Sequence, residues 1–247
     1  GGEPLYRLDE ERLAELEPDL VLTQALCEVC ALPMGQAAQA AHRLRRPPRV
    51  IAVNTYRLAD LFESLRAIAA AAGVPEQAEA LIRDWRARLA RVEAAVAGAP
   101  RPRVLLLEWL DPPFCCGHWV PEMVDLAGGR EVLGSPGAPS RRVRWEEILE
   151  AEPEVLGLIP CGYRLSEVLA ALPALAACPF WPWIPAVQAG QVYALEASAY
   201  FSRPGPRTLD GIEILAALLH PDRFAREGLE QVARRVEAAA WRWRRRR

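Results

Sequence analysis

RVLLLEWLDPPFCCGHWVPEMVDLAGG, residues 103–129, is the stretch from which the rest of the chain can be placed. Residues 104–107 form a short, wholly apolar run, the pattern of a strand buried on both faces of a parallel sheet. After Glu108 and Trp109, the sequence Asp111-Pro112-Pro113 is expected to forbid further strand or helix. The loop predicted to come next carries Phe114, Cys115, Cys116, Gly117, His118 and Trp119. Residues 120–127 read as a helix with Pro121 in its first turn, closed by Gly128-Gly129. Strand, loop with reactive side chains, helix: open α/β sheets present their ligand-binding edge in this order.

Upstream, residues 76–97 hold one continuous helical pattern, with Leu81, Trp85, Leu89, Val92 and Val96 along a single stripe. Glu79 with Arg83, and Asp84 with Arg88, are spaced to pair on the outer side. About 22 residues at 1.5 Å each span roughly 33 Å, enough to cross a small domain. This helix is the candidate link between two halves: lobe one over 1–75, the connecting helix over 76–98, and lobe two over 99–247.

The halves look alike. Residues 11–23, ERLAELEPDLVLT, align with residues 146–158, EEILEAEPEVLGL. In each a glutamate starts a helix, an acidic residue follows a proline, and an apolar strand comes next. In lobe one, Asp9 caps a helix over 10–17 with Leu13 and Leu16 on its buried side, and Pro18 stops it. A strand over 20–23, a loop over 24–30, a helix over 33–43 and a strand over 49–53 come after it. Asn54-Thr55 then caps a helix bearing Leu58, Leu61, Phe62, Leu65 and Ile68. In lobe two, proline-rich residues 179–185 are expected to form an aromatic surface loop, and 186–193 a turn into a strand. A loop over 198–206 leads to a helix over 207–219 with Leu209, Ile212, Leu215 and Leu219 inward. From 225 onward the pattern is helical and ends in a solvated tail of four arginines.

Composition narrows the function. The 247 residues carry a net charge of -2, which argues against a dedicated nucleic-acid binder. Every basic residue is arginine. No run of roughly 18 apolar residues is present to span a membrane, and no signal peptide is visible. The opening GGEPLYRLDEERL reads as though it begins mid-domain. Six cysteines, two of them vicinal, do not resemble a secreted disulfide scaffold. Cys27 and Cys30 have CxxC spacing without a second such pair; small buried packing and a metal or redox site are both open readings.

Taken together, the long helix, the two αPβ repeats, EWLDPPF, GHWVPEM, AVQAGQVYAL and SRPGPR resemble the helical-hinge (class III) substrate-binding proteins of ABC importers. Within that family the chain is most similar to the vitamin B12 (cobalamin)-binding branch. The resemblance implies an α/β fold of two Rossmann-like lobes joined by one long α-helix, the class III periplasmic binding protein architecture. Lobe one is incomplete by comparison, since the first strand and helix of the family are missing. It further implies a ligand clamped between the lobes: cobalamin, or a related metal chelate of iron-siderophore or haem type. A glutamate on each lobe docks onto the membrane permease, and Glu11 and Glu146 match those positions. Exposure in a first helical turn, where the helix dipole favours an acid, is an independent reason for glutamate at both sites. Phe114 and Arg203 match ligand-contacting positions, with Phe201 beside Arg203 in the same loop, while Gln24 stands where a tryptophan is expected and Leu5 or Tyr6 falls near another aromatic position. Tyr163 completes the candidate contacts, and Trp109 and Trp119 are the candidates for a flat surface. No cofactor is required; a periplasmic or cell-envelope monomer is implied, with a cytoplasmic location as the alternative.

On that fold Cys27, Cys30, Cys115, Cys116, His118 and Cys161 all come after strand ends that border the cleft. Cys27, Cys30, Cys161 and His118 are therefore candidate metal ligands, against a plain apolar lining. Two other functions are carried: a cytoplasmic metal- or corrinoid-binding protein, and a thiol-dependent enzyme using Cys115 or Cys116 with His118 and Glu108. The second lacks any accompanying GxGxxG, P-loop or GxSxG motif, and binding without turnover is the expectation.

Overall fold

The structure, a computed structural model, describes residues 8–24 and 34–236. The chain divides into two compact units between Asp84 and Trp85. That boundary falls inside the long helix, α4 (Pro75–Val96). The first unit contains α1 (Glu10–Leu16), β1 (Leu20–Thr23), α2 (Met34–His42), β2 (Arg49–Ala52) and α3 (Leu58–Ala71), and α4 begins in it. β1 and β2 pair in parallel, from Leu20 opposite Arg49 to Thr23 opposite Ala52. Leu16, expected on a buried face, stands 62% exposed. What holds α1 is polar: the Asp9 carboxylate accepts from the Arg12 amide, and Arg12–Glu15 and Arg43–Glu10 are ion pairs. The start of α3 also differs from the Asn54-Thr55 cap expected. The Asp60 side chain, inside the first turn, accepts from the amides of Tyr56 and Arg57, reaching back to the residues that enter the helix.

The second unit contains β3 (Arg103–Leu110), β4 (Pro113–Cys115), α5 (Val120–Leu126), β5 (Arg130–Glu131), β6 (Arg141–Arg142), α6 (Trp145–Ala151), β7 (Val155–Leu158) and α7 (Leu165–Ala176). After these come a 3-10 turn (Trp181–Trp183), α8 (Pro185–Gln188), β8 (Val192–Leu195), α9 (Ala197–Tyr200), α10 (Arg207–Leu219), α11 (Leu229–Val232) and β9 (Ala233–Arg235). One sheet has the order β6-β4-β3-β7-β8-β9, with β5 on the early part of β3. β3, β5, β7 and β8 run parallel, β4 pairs antiparallel with both β3 and β6, and β9 pairs antiparallel with β8. The apolar run read as a two-sided buried strand is that: Val104, Leu105 and Leu107 are fully buried. β3 nevertheless runs three residues further than expected. Asp111-Pro112, a cis peptide, turns the chain back into β4, so Phe114 and Cys115 are strand and not loop. Proline lacks the donor but keeps its acceptor, and the Pro113 carbonyl accepts from the Val143 amide at 2.9 Å.

The repeat in sequence is a repeat in backbone geometry. α1 and α6 each have seven residues, and Glu17 and Glu152 end them in the left-handed region, at φ 40, ψ 53 and φ 44, ψ 57. A proline and a four-residue strand come next in both units. Left-handed backbone costs a non-glycine residue roughly 1–2 kcal/mol, and the same cost recurs at the same place in the two units. Glu11 and Glu146 are the second residues of these matched helices, and both are exposed.

Two further expectations are corrected. Residues 179–185 are not a surface loop: Trp181 and Ile184 are fully buried, while Trp183 is exposed. Prolines are tolerated in a first helical turn, and Pro182 and Pro185 occupy those positions in successive short turns. The tail from 225 is not one helix, because after α11 the chain adds β9 to the edge of the sheet beside β8. Ala233 and Val236 are buried and Arg234 and Arg235 exposed, so the edge strand is blunted by charge. The terminal arginines lie outside the described residues. On α4, Arg88 pairs not with Asp84 but with Glu213 (2.7 Å) and Asp210 (2.6 Å) of α10, and Arg66 of α3 reaches Glu79 at 2.6 Å.

Candidate functional site

The parallel strands β3, β7 and β8 end on one edge of the second unit, and backbone bonds stitch the turns beyond them. The Cys161 amide donates to the Glu108 carbonyl (2.9 Å), tying the turn after β7 to the end of β3. The Gly162 amide donates to the Ser202 hydroxyl (2.9 Å), which in turn donates to the Ala197 carbonyl (3.0 Å). Ser198 donates its amide to the Tyr163 carbonyl (2.8 Å), and the Glu196 carboxylate accepts from the Leu165 amide (2.7 Å). Three turns distant in sequence therefore form one fixed rim.

On this rim Trp109 and Tyr163 meet edge to face, with ring centroids 5.6 Å apart and planes at 79°. The Trp109 indole N–H donates to the Asp111 carbonyl (3.1 Å), which fixes the ring on its own turn. Phe114 is the strand partner of Trp109 across the β3–β4 pair, so the two side chains leave the same face of the sheet. Arg203 comes directly after Ser202, is exposed, and makes no hydrogen bond or ion pair among the described residues. Thus Phe114, Tyr163, Cys161 and Arg203 are brought to one edge. Trp119 and Phe201 are the corrections: at 6% and 2% exposure they are core residues, and a ring buried on both faces has none to offer a ligand. Gln24 is half-buried just beyond β1 in the first unit.

Of the candidate metal ligands, Cys27 and Cys30 lie outside the described residues, as do Leu5 and Tyr6. Cys161 is exposed. His118 is half-buried in left-handed backbone (φ 53), its pKa lowered by that burial. Among the described residues no three His, Cys, Asp or Glu side chains are grouped closely enough to hold a metal. Cys115 and Cys116 are almost fully buried. Desolvation pushes both thiols up, Cys116 further, with Glu131 and Glu108 adding to the rise of each and Arg141 pulling Cys115 alone back. A nucleophilic or metal-binding sulfur needs the thiolate, which these surroundings disfavour.

Beneath the rim lies a pair of acids, Glu108 and Glu131, of which the sequence pattern singles out only the first. Glu131 accepts from the amides of Val132, Leu133 and Gly134 through Oε1, each at 3.1 Å, and from Leu106 through Oε2 at 3.2 Å. It is an anchor that folds residues 131–134 onto β3. Its signal in the sequence is a lone acid between Gly129 and Gly134. Glu108 accepts from the Gly117 amide at 3.3 Å, and burial pushes its carboxyl up to about 7 against the pull of that bond and of Ser140, with Glu131 adding to the rise. A folded-state value above the unfolded one means that the fold binds the proton. This stabilisation is complete below the usual carboxylate range and is lost as pH rises toward 7 and above. Glu108→Gln keeps the acceptor and removes the charge. It should raise thermal stability at pH 8 by up to about 3 kcal/mol and leave stability at pH 4.5 nearly unchanged. Thermal unfolding of both proteins across that range checks it; parallel curves would contradict the assignment.

Aromatic and cationic side chains gathered at the parallel strand ends of an α/β unit are the chemistry of a ligand-binding protein for small molecules. The chain belongs to the periplasmic binding protein family, whose model matches residues 6–199. The vitamin B12-binding protein of Vibrio cholerae serotype O1 is 26% identical over 217 residues, 85% of this chain and 71% of the relative. The periplasmic heme-binding protein RhuT from Roseiflexus sp. RS-1 is 25% identical with a TM-score of 0.70, covering 87% of this chain and 80% of that one. An ABC transporter substrate-binding protein from Listeria monocytogenes EGD-e shares the fold at a TM-score of 0.74, with 18% identity over 86% of this chain and 81% of its own. Among the described residues no helix is long and apolar enough to cross a membrane.

Proposed function

We propose that this chain is the substrate-binding component of an ABC importer. It takes cobalamin or a related metal chelate, of haem or iron-siderophore type, at the strand-end rim of the second unit. It works in the periplasm or cell envelope, binds without turnover, and needs no cofactor of its own; any metal arrives as the centre of the ligand. The observation that carries the reading is the family match together with relatives named for binding vitamin B12 and heme. The rim chemistry supports it: exposed and half-buried rings supply apolar contact for a macrocycle, and the guanidinium of Arg203, unpaired among the described residues, supplies a partner for its acidic or phosphate groups. Docking onto the permease through Glu11 and Glu146 is supported by their matched, exposed places at the second residue of α1 and α6.

Titration with cyanocobalamin and with hemin, monitored by calorimetry and thermal unfolding, tests the proposal. One of the two should bind at one molecule per chain and raise the melting temperature. Ligand at about 100 times Kd adds about 2.7 kcal/mol. Arg203→Gln should weaken that binding about tenfold, as expected for a lost charge-assisted bond. The double variant Glu11→Lys with Glu146→Lys should leave binding intact and abolish uptake. Failure of both ligands to bind would sink the reading.

A further inference from the structure

The rim contains one ring whose exposure the fold itself does not use. Trp109 is 38% exposed at the end of a strand whose preceding apolar residues are buried completely. A surface tryptophan usually keeps its N–H for water, yet this one spends it on the Asp111 carbonyl in its own turn. Its ring is braced a second time by Tyr163, edge to face at 5.6 Å. The turn that carries Tyr163 is itself fastened: Cys161 to Glu108, Gly162 to Ser202, Tyr163 to Ser198. Two rings held at 79° make a corner that is rigid before anything enters it, so little side-chain freedom remains to be lost on binding. The other tryptophan of the same stretch, Trp119, is buried, which leaves Trp109 as the tryptophan of that stretch with surface to offer.

We infer that the Trp109–Tyr163 corner is the specificity-determining contact of the second unit, where the exposed face of Trp109 stacks on the flat conjugated body of the ligand. This inference rests on the proposed function, since it names a contact for the same class of ligand. Tyr163 is a positioning residue: it holds the indole at its angle and acts through it. A flat, delocalised ligand gains from a fixed ring face, whereas a globular ligand of similar size meets the corner at an edge and gains little.

The test measures the Kd of hemin and of cyanocobalamin for the wild-type chain, Trp109→Phe, Trp109→Ala and Tyr163→Ala. Trp183→Ala serves as control, because that ring is exposed elsewhere in the unit. Affinity for the ligand that the wild type binds should fall by about tenfold or more in Trp109→Ala and stay within about threefold in Trp109→Phe, which keeps a flat face. Tyr163→Ala should give an intermediate loss, and Trp183→Ala none. Circular dichroism and melting temperature accompany each variant; should Trp109→Ala unfold, the graded response of Trp109→Phe and Tyr163→Ala decides the matter alone. Wild-type binding that survives Trp109→Ala unchanged overturns the corner and leaves the importer reading standing. A wild type that binds neither probe overturns both.

Discussion

Trp181→Ala should cost the chain about 3–5 kcal/mol of stability, among the largest effects of any single side-chain truncation in this fold. Trp181 is fully buried and belongs to the cluster formed by Leu105 and Leu107 of β3, Leu156 and Leu158 of β7, and Val192 and Ala194 of β8. Its ring meets Trp145 edge to face at 6.2 Å, and Trp145 is the first residue of α6, directly before Glu146. Removing the indole leaves a cavity that rigid strands on one side cannot fill by collapsing. It also removes the floor under the helix that presents the proposed docking glutamate. Urea unfolding of the full chain measures the loss. Trp183→Ala, two residues away and exposed, should stay within about 0.5 kcal/mol. Equal, small losses at the two positions would show that the burial of Trp181 carries no such weight.

That contrast marks where the sequence is readable. Patterns with a period give themselves away: the apolar run of β3, the long α4 and the α-Pro-β repeat need only spacing to be recognised. The repeat even carries conformation, since the prolines after Glu17 and Glu152 mark left-handed helix ends that agree to within a few degrees. Trp181 and Trp183 are not separable in this way. Both sit in PFWPWIP, where alternating prolines hide any period, and only tertiary packing puts one inside and the other out.

Proline misleads a second time at Asp111-Pro112-Pro113, which stops a strand but also reverses it. The resulting β4 buries Cys115 and sets Phe114 opposite Trp109. For the site, residue type is legible and orientation is not. Phe114, Tyr163 and Arg203 reach the rim, while Trp119 and Phe201, equally aromatic, go into the core. Whether a ring is platform or packing depends on the neighbour that covers it, and the chain position of that neighbour is not encoded locally.

Gly117→Ala should be nearly as damaging as the loss of Trp181, about 3 kcal/mol, for the opposite reason: addition, not removal. A Cβ at Gly117 would collide with the Ser140 amide nitrogen and lie 2.6 Å from the Pro139 carbonyl carbon and 2.7 Å from the Ala138 oxygen. All three are backbone atoms, so no rotamer change relieves the clash and one segment must move away from the other. The two segments are riveted on either side of the contact. His118 donates its amide to the Ala138 carbonyl at 2.6 Å, Gly137 returns one to the His118 carbonyl at 2.9 Å, and the Gly117 amide holds Glu108. Each bond broken by the displacement adds about 1 kcal/mol to the overpacking cost. Because Glu108 lies next to Trp109, the displacement should also loosen the rim, so ligand affinity should fall along with stability. Melting temperature and Kd measured together on Gly117→Ala check this. A variant of unchanged stability would mean that the close approach of residues 117 and 138–140 is not part of the folded chain in solution.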